Sequence, residues 1–455
     1  MSKRPRVLRS ERKIIGPLIV VNPDSAGIDA GSEQHWVSVP EDRDEQPVRA
    51  FGTFTEDLNA LADWLVACGI KTVAIEATGV YWIPLFEVLE ARGLAPKLVD
   101  SRSIGRRNKK KTDVVDCQWI RQLHTHGLLD GAFRPSAEML PLRTYVRHRR
   151  MLIEYASDHI RHMQKALDLM NLKLHLVISD ITGVSGLRII HAILAGERDP
   201  KKLAVMREPN CQNSEQTIAK ALVGNYREEH LFALKQAVEL FEEYGRKLEA
   251  CDKQIDLTLA LFEKKANRKN LAEKTSKKRR KNQPRFDARS LIFEMAGVDL
   301  TAIDGLEAST VLTILSETGT DMTAWPSHAH FVSWLALSPN RWITGGRPLA
   351  KKPPVIHPNR AAQAFRLAAQ TLERARCGLG AFFRRIKSRH GRAVAIKATA
   401  HKLATIFYSM LKTGSAYRDP GENYYEIRYQ QKRVNSLQKQ AAMLGFQLTP
   451  IQEVH

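Results

Sequence analysis

Between residues 26 and 100 apolar and polar positions alternate in short runs separated by turn residues. AGIDA (26–30), HWVSV (35–39) and VRAFGTF (48–54) carry the period of two that predicts three strands. Thr55 then caps a helix with Leu58, Leu61 and Leu65 on one face. TVAIEA (72–77) and APKLVD (95–100) read as two further strands, and IPLFEVLEARG (83–93) between them as a helix stopped at Gly93. A last helix starts near Thr112, with Val115, Trp119 and Leu123 on one stripe. The order β-β-β-α-β-α-β-α predicts a mixed sheet flanked by helices.

From Pro141 the period changes. Leu142, Val146, Arg149, Ile153, Ala156, Ile160, Met163, Leu167, Met170 and Leu174 alternate at spacings of four and three, with only Arg149 breaking the apolar seam. A second run, from Leu231 through Leu234, Val238, Phe241, Gly245, Leu248, Asp252, Ile255 and Leu259 to Phe262, has defects at Gly245 and Asp252. Both are coiled-coil patterns, open to pairing with each other as a hairpin or with a second chain. Residues 264–285 are half Lys or Arg without apolar periodicity, which makes them a linker, able to wrap a phosphate backbone or simply to act as a solvated spacer. Beyond it, helical patterns run to Lys412, and the tail from Glu422 is an amphipathic helix carrying Tyr424, Tyr425 and Tyr429.

Length and composition set the class. A chain of 455 residues is too long for one ordinary core, and 43% apolar content is that of a globular protein. No apolar run approaches a bilayer span, so no membrane insertion is expected. The start, MSKRPRVLRSERK, is a basic arm without the apolar stretch of a secretory signal, and an intracellular protein is expected. The five cysteines are scattered with no CxxC spacing, and His124 and His126 lie two apart on different faces of a helix, so neither a disulfide framework nor a zinc site is indicated. The net charge of +21 and pI near 9.8, concentrated in blocks, point to a polyanion partner, most simply nucleic acid.

Against that basic background a few acids stand out. In KKKTDVVDCQWIRQL (109–123), Asp113 and Asp116 fall one helical turn apart at a helix start. One reading makes Asp113 an N-cap and Asp116 a first-turn acid that complements the helix dipole. The other gathers them with Asp29 in GIDAG and Glu76 in AIEA, each costly in a packed strand without a partner. If the first strand lies beside the fourth and the last helix leans over both, the four carboxylates meet. Hard oxygen donors without Cys or His suit Mg²⁺ or Mn²⁺, and two such ions about 4 Å apart clamp the attacking and leaving oxygens of a phosphodiester. Lys109, Lys110 and Lys111 would then bring phosphate to a site whose acids repel it.

GIDAG, AIEATGVYW and KTDVVDCQWIRQL, in that order, resemble the three blocks of the DEDD transposases of bacterial insertion sequences. The resemblance continues through DITGVSGLRIIHAILAGERDP, HFVSWLALSPNRWITGGRPL, NRAAQAFRLAAQTLERA and ATAHKLATIFYSMLK, over nearly the whole chain outside the basic arm and linker. It implies an α/β RuvC-like first domain of RNase H type, an α-helical coiled-coil middle and a mainly α C-terminal domain. It implies a bacterial, cytoplasmic recombinase that binds donor and target DNA and a structured noncoding guide RNA, the bridge RNA. In that family the acidic site binds Mg²⁺, a serine forms a covalent link to DNA, and protomers assemble through coiled coils into a tetramer. A homo-oligomer, dimer or tetramer, is therefore expected. The division implied is a basic arm (1–18), the RuvC-like domain (19–135), a coiled-coil region (136–263), a basic linker (264–287), a C-terminal transposase domain (288–415) and a C-terminal helix (416–455).

At the family's serine this chain has Thr344, in ITGG. A threonine hydroxyl can attack phosphorus when activated, although its β-branch restricts the approach. Ser338 and Ser333 are the alternative nucleophiles. Gly345 and Gly346 would let backbone approach phosphate, and Arg347 could neutralise a non-bridging oxygen. Arg341, Lys351, Lys352 and Arg360 add positive charge nearby. AIDGLEASTVLTILSETG resembles a helix-hairpin-helix with Gly305 at the hairpin. Two competing functions remain: a RuvC-like nuclease that hydrolyses DNA with water, and a nucleic-acid-binding scaffold whose acids are structural.

Overall fold

The computed structural model describes residues 18–77, 79–100, 104, 112–273, 281–339, 343–344, 347–348 and 359–449; within 340–358 this covers only the backbone of two short strands. The chain divides into two compact units, Met1–Arg134 and Pro135–His455.

The first unit is a five-stranded mixed sheet in the order β3-β2-β1-β4-β5, formed by β1 (Ser25–Ala30), β2 (Gln34–Ser38), β3 (Val48–Gly52), β4 (Thr72–Glu76) and β5 (Ala95–Val99). The meander β1-β2-β3 is antiparallel, whereas β4 and β5 add in parallel through crossover helices α1 (Thr55–Ala67) and α2 (Trp82–Ala91). This arrangement fits an α/β RNase H-like domain. Side-chain alternation splits the sheet cleanly. Ala26, Ile28, Ala30, Val73 and Ile75 point to one side, where they form a core with Leu58, Leu61, Leu65, Leu85 and Leu89 of α1 and α2. Ala74 and Val99 point to the other side and pack on Ile120 of α3 (Asp113–Thr125). The cap of α1 differs from expectation: the residue before the helix is Phe54, and its backbone N–H donates to the Asp57 carboxylate at 3.2 Å, so Thr55 is already inside the first turn.

The second unit is helical. α4 (Met139–Leu169) and α9 (Glu228–Ala260) pack side by side as an antiparallel hairpin within one chain. Tyr155 against Tyr244, with ring centroids 5.8 Å apart, and Arg149 against Asp252 establish the direction. Between them come α5 (Leu174–Val177), α6 (Val184–Leu194), α7 (Pro200–Val205) and α8 (Glu215–Ala221), which close one end of the hairpin around Met163, Leu167, Ile189, Ile193 and Leu234. Then follow α10 (Ala288–Ala296), α11 (Ala308–Thr318), α12 (His328–Trp334), the strand pair β6 (Ile343–Thr344) and β7 (Arg347–Pro348), α13 (Arg360–Thr371), α14 (Gly378–His390), α15 (Arg392–Thr413) and α16 (Tyr424–Met443). Gly305 takes φ +86° before α11, in the left-handed region that favours glycine, and a Cβ there would sit 3.1 Å from the Ala368 carbonyl oxygen. α15 is the pivot of this region. It packs on α12, α13 and α14, and Tyr408 donates its hydroxyl to the Trp325 carbonyl at 2.8 Å beside Phe331.

Candidate active site

Helix α3 decides where the first unit's acids go. Its N-cap is Thr112, whose side chain accepts from Val115 N, so Asp113 is the first helical residue and not the cap. The helix lies across β1, β2 and β4. At its C-terminal end Thr125 Oγ1 lies 2.9 Å from Ser25 Oγ; since Thr125 donates to the Arg121 carbonyl, Ser25 is the donor between them. Two residues along β1, Gly27 is so close to the helix that a Cβ would fall 2.3 Å from Arg121 N and 2.5 Å from the Cys117 carbonyl oxygen. The helix therefore runs antiparallel to β1, and each four-residue step, about 6 Å, matches two residues of strand, about 6.6 Å. Continuing that match brings Asp29, on the same face of β1 as Gly27, between the levels of Cys117 and Asp113.

A second row of the helix repeats this over β4. His124 Nε2 lies 3.0 Å from Thr72 Oγ1, and Ile120 packs with Ala74. The next step sets Asp116 at the level of Glu76. The two strands are neighbours, with Gly27 facing Ala74 and Ile28 facing Ile75, so Asp29 and Glu76 follow one another across the sheet. All four acids are thus at the carboxyl end of β1 and β4 and the amino end of α3. Asp29, Glu76 and Asp116 are half-buried and Asp113 is exposed.

The electrostatics agree with this placement. Burial pushes the Cys117 thiol up to about 12, helped by the negative charge of Asp29 and, less, of Asp116. In chemistry the donor set fits a hard divalent cation, oxygen carboxylates with no sulfur or imidazole among them. Among the described residues, however, no group of three or more His, Cys, Asp or Glu side chains lies close enough to hold an ion. The four carboxylates share one edge without closing a coordination shell.

Two residues at this edge carried no distinct signal in the linear pattern. Trp36 pairs with Asp29 across β1 and β2, which puts its half-buried ring on the same face. Asp100 directly follows Val99, the partner of Glu76, and is exposed.

The remaining expected residues divide by unit. Lys109, Lys110, Lys111, Arg341, Lys351 and Lys352 lie outside the described residues, as do Gly345 and Gly346. Thr344 and Arg347 face each other in the β6–β7 pair, separated in sequence by the two glycines, the spacing of a two-residue hairpin loop. Ser333 is an exposed residue of α12, and Ser338 follows that helix. Arg360 opens α13. Burial and the nearby charge of Arg147 hold its guanidinium below the ordinary value, and Glu317 partly offsets them. Glu317 is itself buried and takes Arg147 at 2.8 and 2.7 Å and Arg143 at 3.1 Å.

Residues 26–172 match the family model DEDD_Tnp_IS110, described as a transposase. The match spans about a third of the chain and contains Asp29, Glu76, Asp113 and Asp116, but not Thr344. It supports a DNA-transposing enzyme of that DEDD type and, with it, DNA as a partner. No curated protein matches the chain. No helix among the described residues is long and apolar enough to cross a membrane.

Proposed function

We propose that this chain is an RNA-guided transposase that cuts and exchanges DNA strands through a covalent protein–DNA intermediate. The observation that supports the reading is that the transposase match covers the sheet edge shared by the carboxyl ends of β1 and β4 and the amino end of α3. Asp29, Glu76, Asp113 and Asp116 would hold Mg²⁺ or Mn²⁺, and a cation held there would supply charge stabilisation at the phosphodiester. Thr344 is the nucleophile: its Oγ1 forms a bond to phosphorus, one P–O bond to deoxyribose breaks, and the hydroxyl proton ends on the departing oxygen. Arg347, the residue facing Thr344, balances charge on a non-bridging oxygen. Base pairing by a structured RNA selects donor and target, the protein reads backbone, and protomers act as a dimer or tetramer. The net charge of +21 suits both nucleic acids.

The test is adduct formation. Protein incubated with guide RNA, DNA and Mg²⁺ is run on a denaturing gel; a DNA-shifted band is expected for the native chain and for Thr344→Ser, and none for Thr344→Ala or Asp29→Asn. An adduct that survives Thr344→Ala removes Thr344 from the role. Cleaved DNA with a free 5′ phosphate and no adduct selects hydrolysis by water, and activity unchanged by Asp29→Asn and Glu76→Gln leaves only a nucleic-acid binder.

A further inference from the structure

The second unit brings together a row of basic side chains that no acid explains. Arg366 on α13, Lys397 and His401 one turn apart on α15, and His328 at the start of α12 follow one another where those three helices pack. Arg366, Lys397 and His401 are half-buried, and His328 is exposed. Burial, and then the charge of Arg366, hold the Lys397 ammonium below its ordinary value; burial, then His328, Lys402 and Lys397, do the same for His401. Among the described residues, none of Arg366, Lys397, His401 and His328 has a side-chain hydrogen bond or ion pair. The arginines around Glu317 make the contrast, because there a buried carboxylate accounts for the convergence of Arg143 and Arg147. Here like charges are drawn together and partly desolvated without a counter-charge, an arrangement that an anion seated between them would relieve.

The geometry points to Arg366, Lys397 and His401 as a binding site for consecutive phosphates of a DNA strand. This rests on the transposase reading above and adds to it a place where the second unit grips its substrate. DNA is the occupant because α12 and α13 are the elements that flank residues 340–358, which carry Thr344 and Arg347. α13, which carries Arg366, is the helix that follows that segment in the chain. The grip is on the backbone, so it is independent of sequence.

The experiment uses the full chain and a duplex DNA of arbitrary sequence, with binding measured across a range of salt concentrations. Neutralising one fewer phosphate lowers the slope of log K against log salt by about 0.9. Lys397→Gln and Arg366→Gln are each expected to lower it by about that amount, and the double variant by about twice as much. Lys397→Arg is expected to restore the native slope, which separates lost charge from lost folding. Lys235→Gln, at an exposed cation of α9, is expected to leave the slope unchanged. Unaltered slopes in both Lys397→Gln and Arg366→Gln overturn the proposal, as does an equal fall in Lys235→Gln or a fall seen only with an RNA duplex. Cleavage by Asp29→Asn is read in its own assay, so failure of the catalytic reading registers separately from these slopes.

Discussion

Arg149 of α4 and Asp252 of α9 form a buried ion pair inside the helical hairpin, Arg149 Nε donating to Asp252 Oδ1 at 2.5 Å. Asp252 Oδ2 also accepts from Arg285 N at 2.9 Å, so one carboxylate pins the partner helix and the segment that leads into α10. Both side chains are at least nine-tenths buried. Removing one partner would leave the other charged and dry, a loss of about 3–5 kcal/mol. Asp252→Ala and Arg149→Ala should each lower the unfolding midpoint sharply, whereas the paired change Arg149→Met with Asp252→Leu should recover most of it. Urea melts of the four proteins check this. A single variant within about 1 kcal/mol of native would show that water reaches the pair.

Gly27 sets how close α3 can come to the sheet. A Cβ at this position meets helix backbone, not a flexible side-chain end, so α3 itself must move. Gly27→Ala should cost about 1–3 kcal/mol by overpacking. It should also separate Asp113 and Asp116 from Asp29 and Glu76, with DNA cleavage lost more steeply than stability. Cleavage at the native rate in Gly27→Ala would refute the assignment of those four acids to one site.

Two buried histidines make the first unit sensitive to mild acid. His124 is held near a pKa of about 4, first by burial and then by the charge of Lys97, and burial lowers His35 as well. Each has a buried Nδ1 without a hydrogen-bond partner among the described residues. Because the folded values lie below the unfolded value of about 6.5, the unfolded chain takes up the protons first. The contribution of His124 is complete above about pH 6.5, is lost as the pH falls toward 4, and is flat below that, about 3 kcal/mol in all. His124→Gln should flatten stability between those limits. An unchanged pH profile in that variant assigns the acid sensitivity elsewhere.

Glu317 gives the second unit a different acid limit. Burial disfavours its charge, but the hydrogen bond from Arg147 and the charges of Arg143, Arg147 and Arg360 outweigh this and hold its carboxyl below the ordinary range. Its contribution is therefore present above the unfolded carboxylate value and disappears as the pH falls through the lower folded one. At neutral pH, Glu317→Gln should destabilise by about 3 kcal/mol, since it leaves two arginines facing each other. Truncating them as well, in Glu317→Leu with Arg143→Met and Arg147→Met, should restore part of the loss. Thermal melts at pH 7 read both effects.

Much of this protein is written in its linear order. Strands and helices of the first unit follow from periods of two and of 3.6, because backbone geometry alone decides which residues share a face. The long helices followed from their apolar spacing, and the acidic and basic blocks from composition. Which partner each residue meets is a different kind of information. The linear pattern showed Arg149 and Asp252 only as two separate flaws in two seams, and left open whether each helix turned to its neighbour or to another chain. Folding brings the two flaws to one level of one hairpin. Likewise Asp29 and Glu76 were visible as misplaced acids, but their place on one edge depends on β4 adding in parallel beside β1 and on a helix stepping back along both strands from Ser25 and Thr72. Asp100, Trp36 and the row from Arg366 to His328 had no distinct local signature, because burial, charge proximity and the lack of a counter-ion are properties of packed neighbours. Periodicity is local and survives in the unfolded chain; pairing across a hundred residues exists only once the chain has closed on itself.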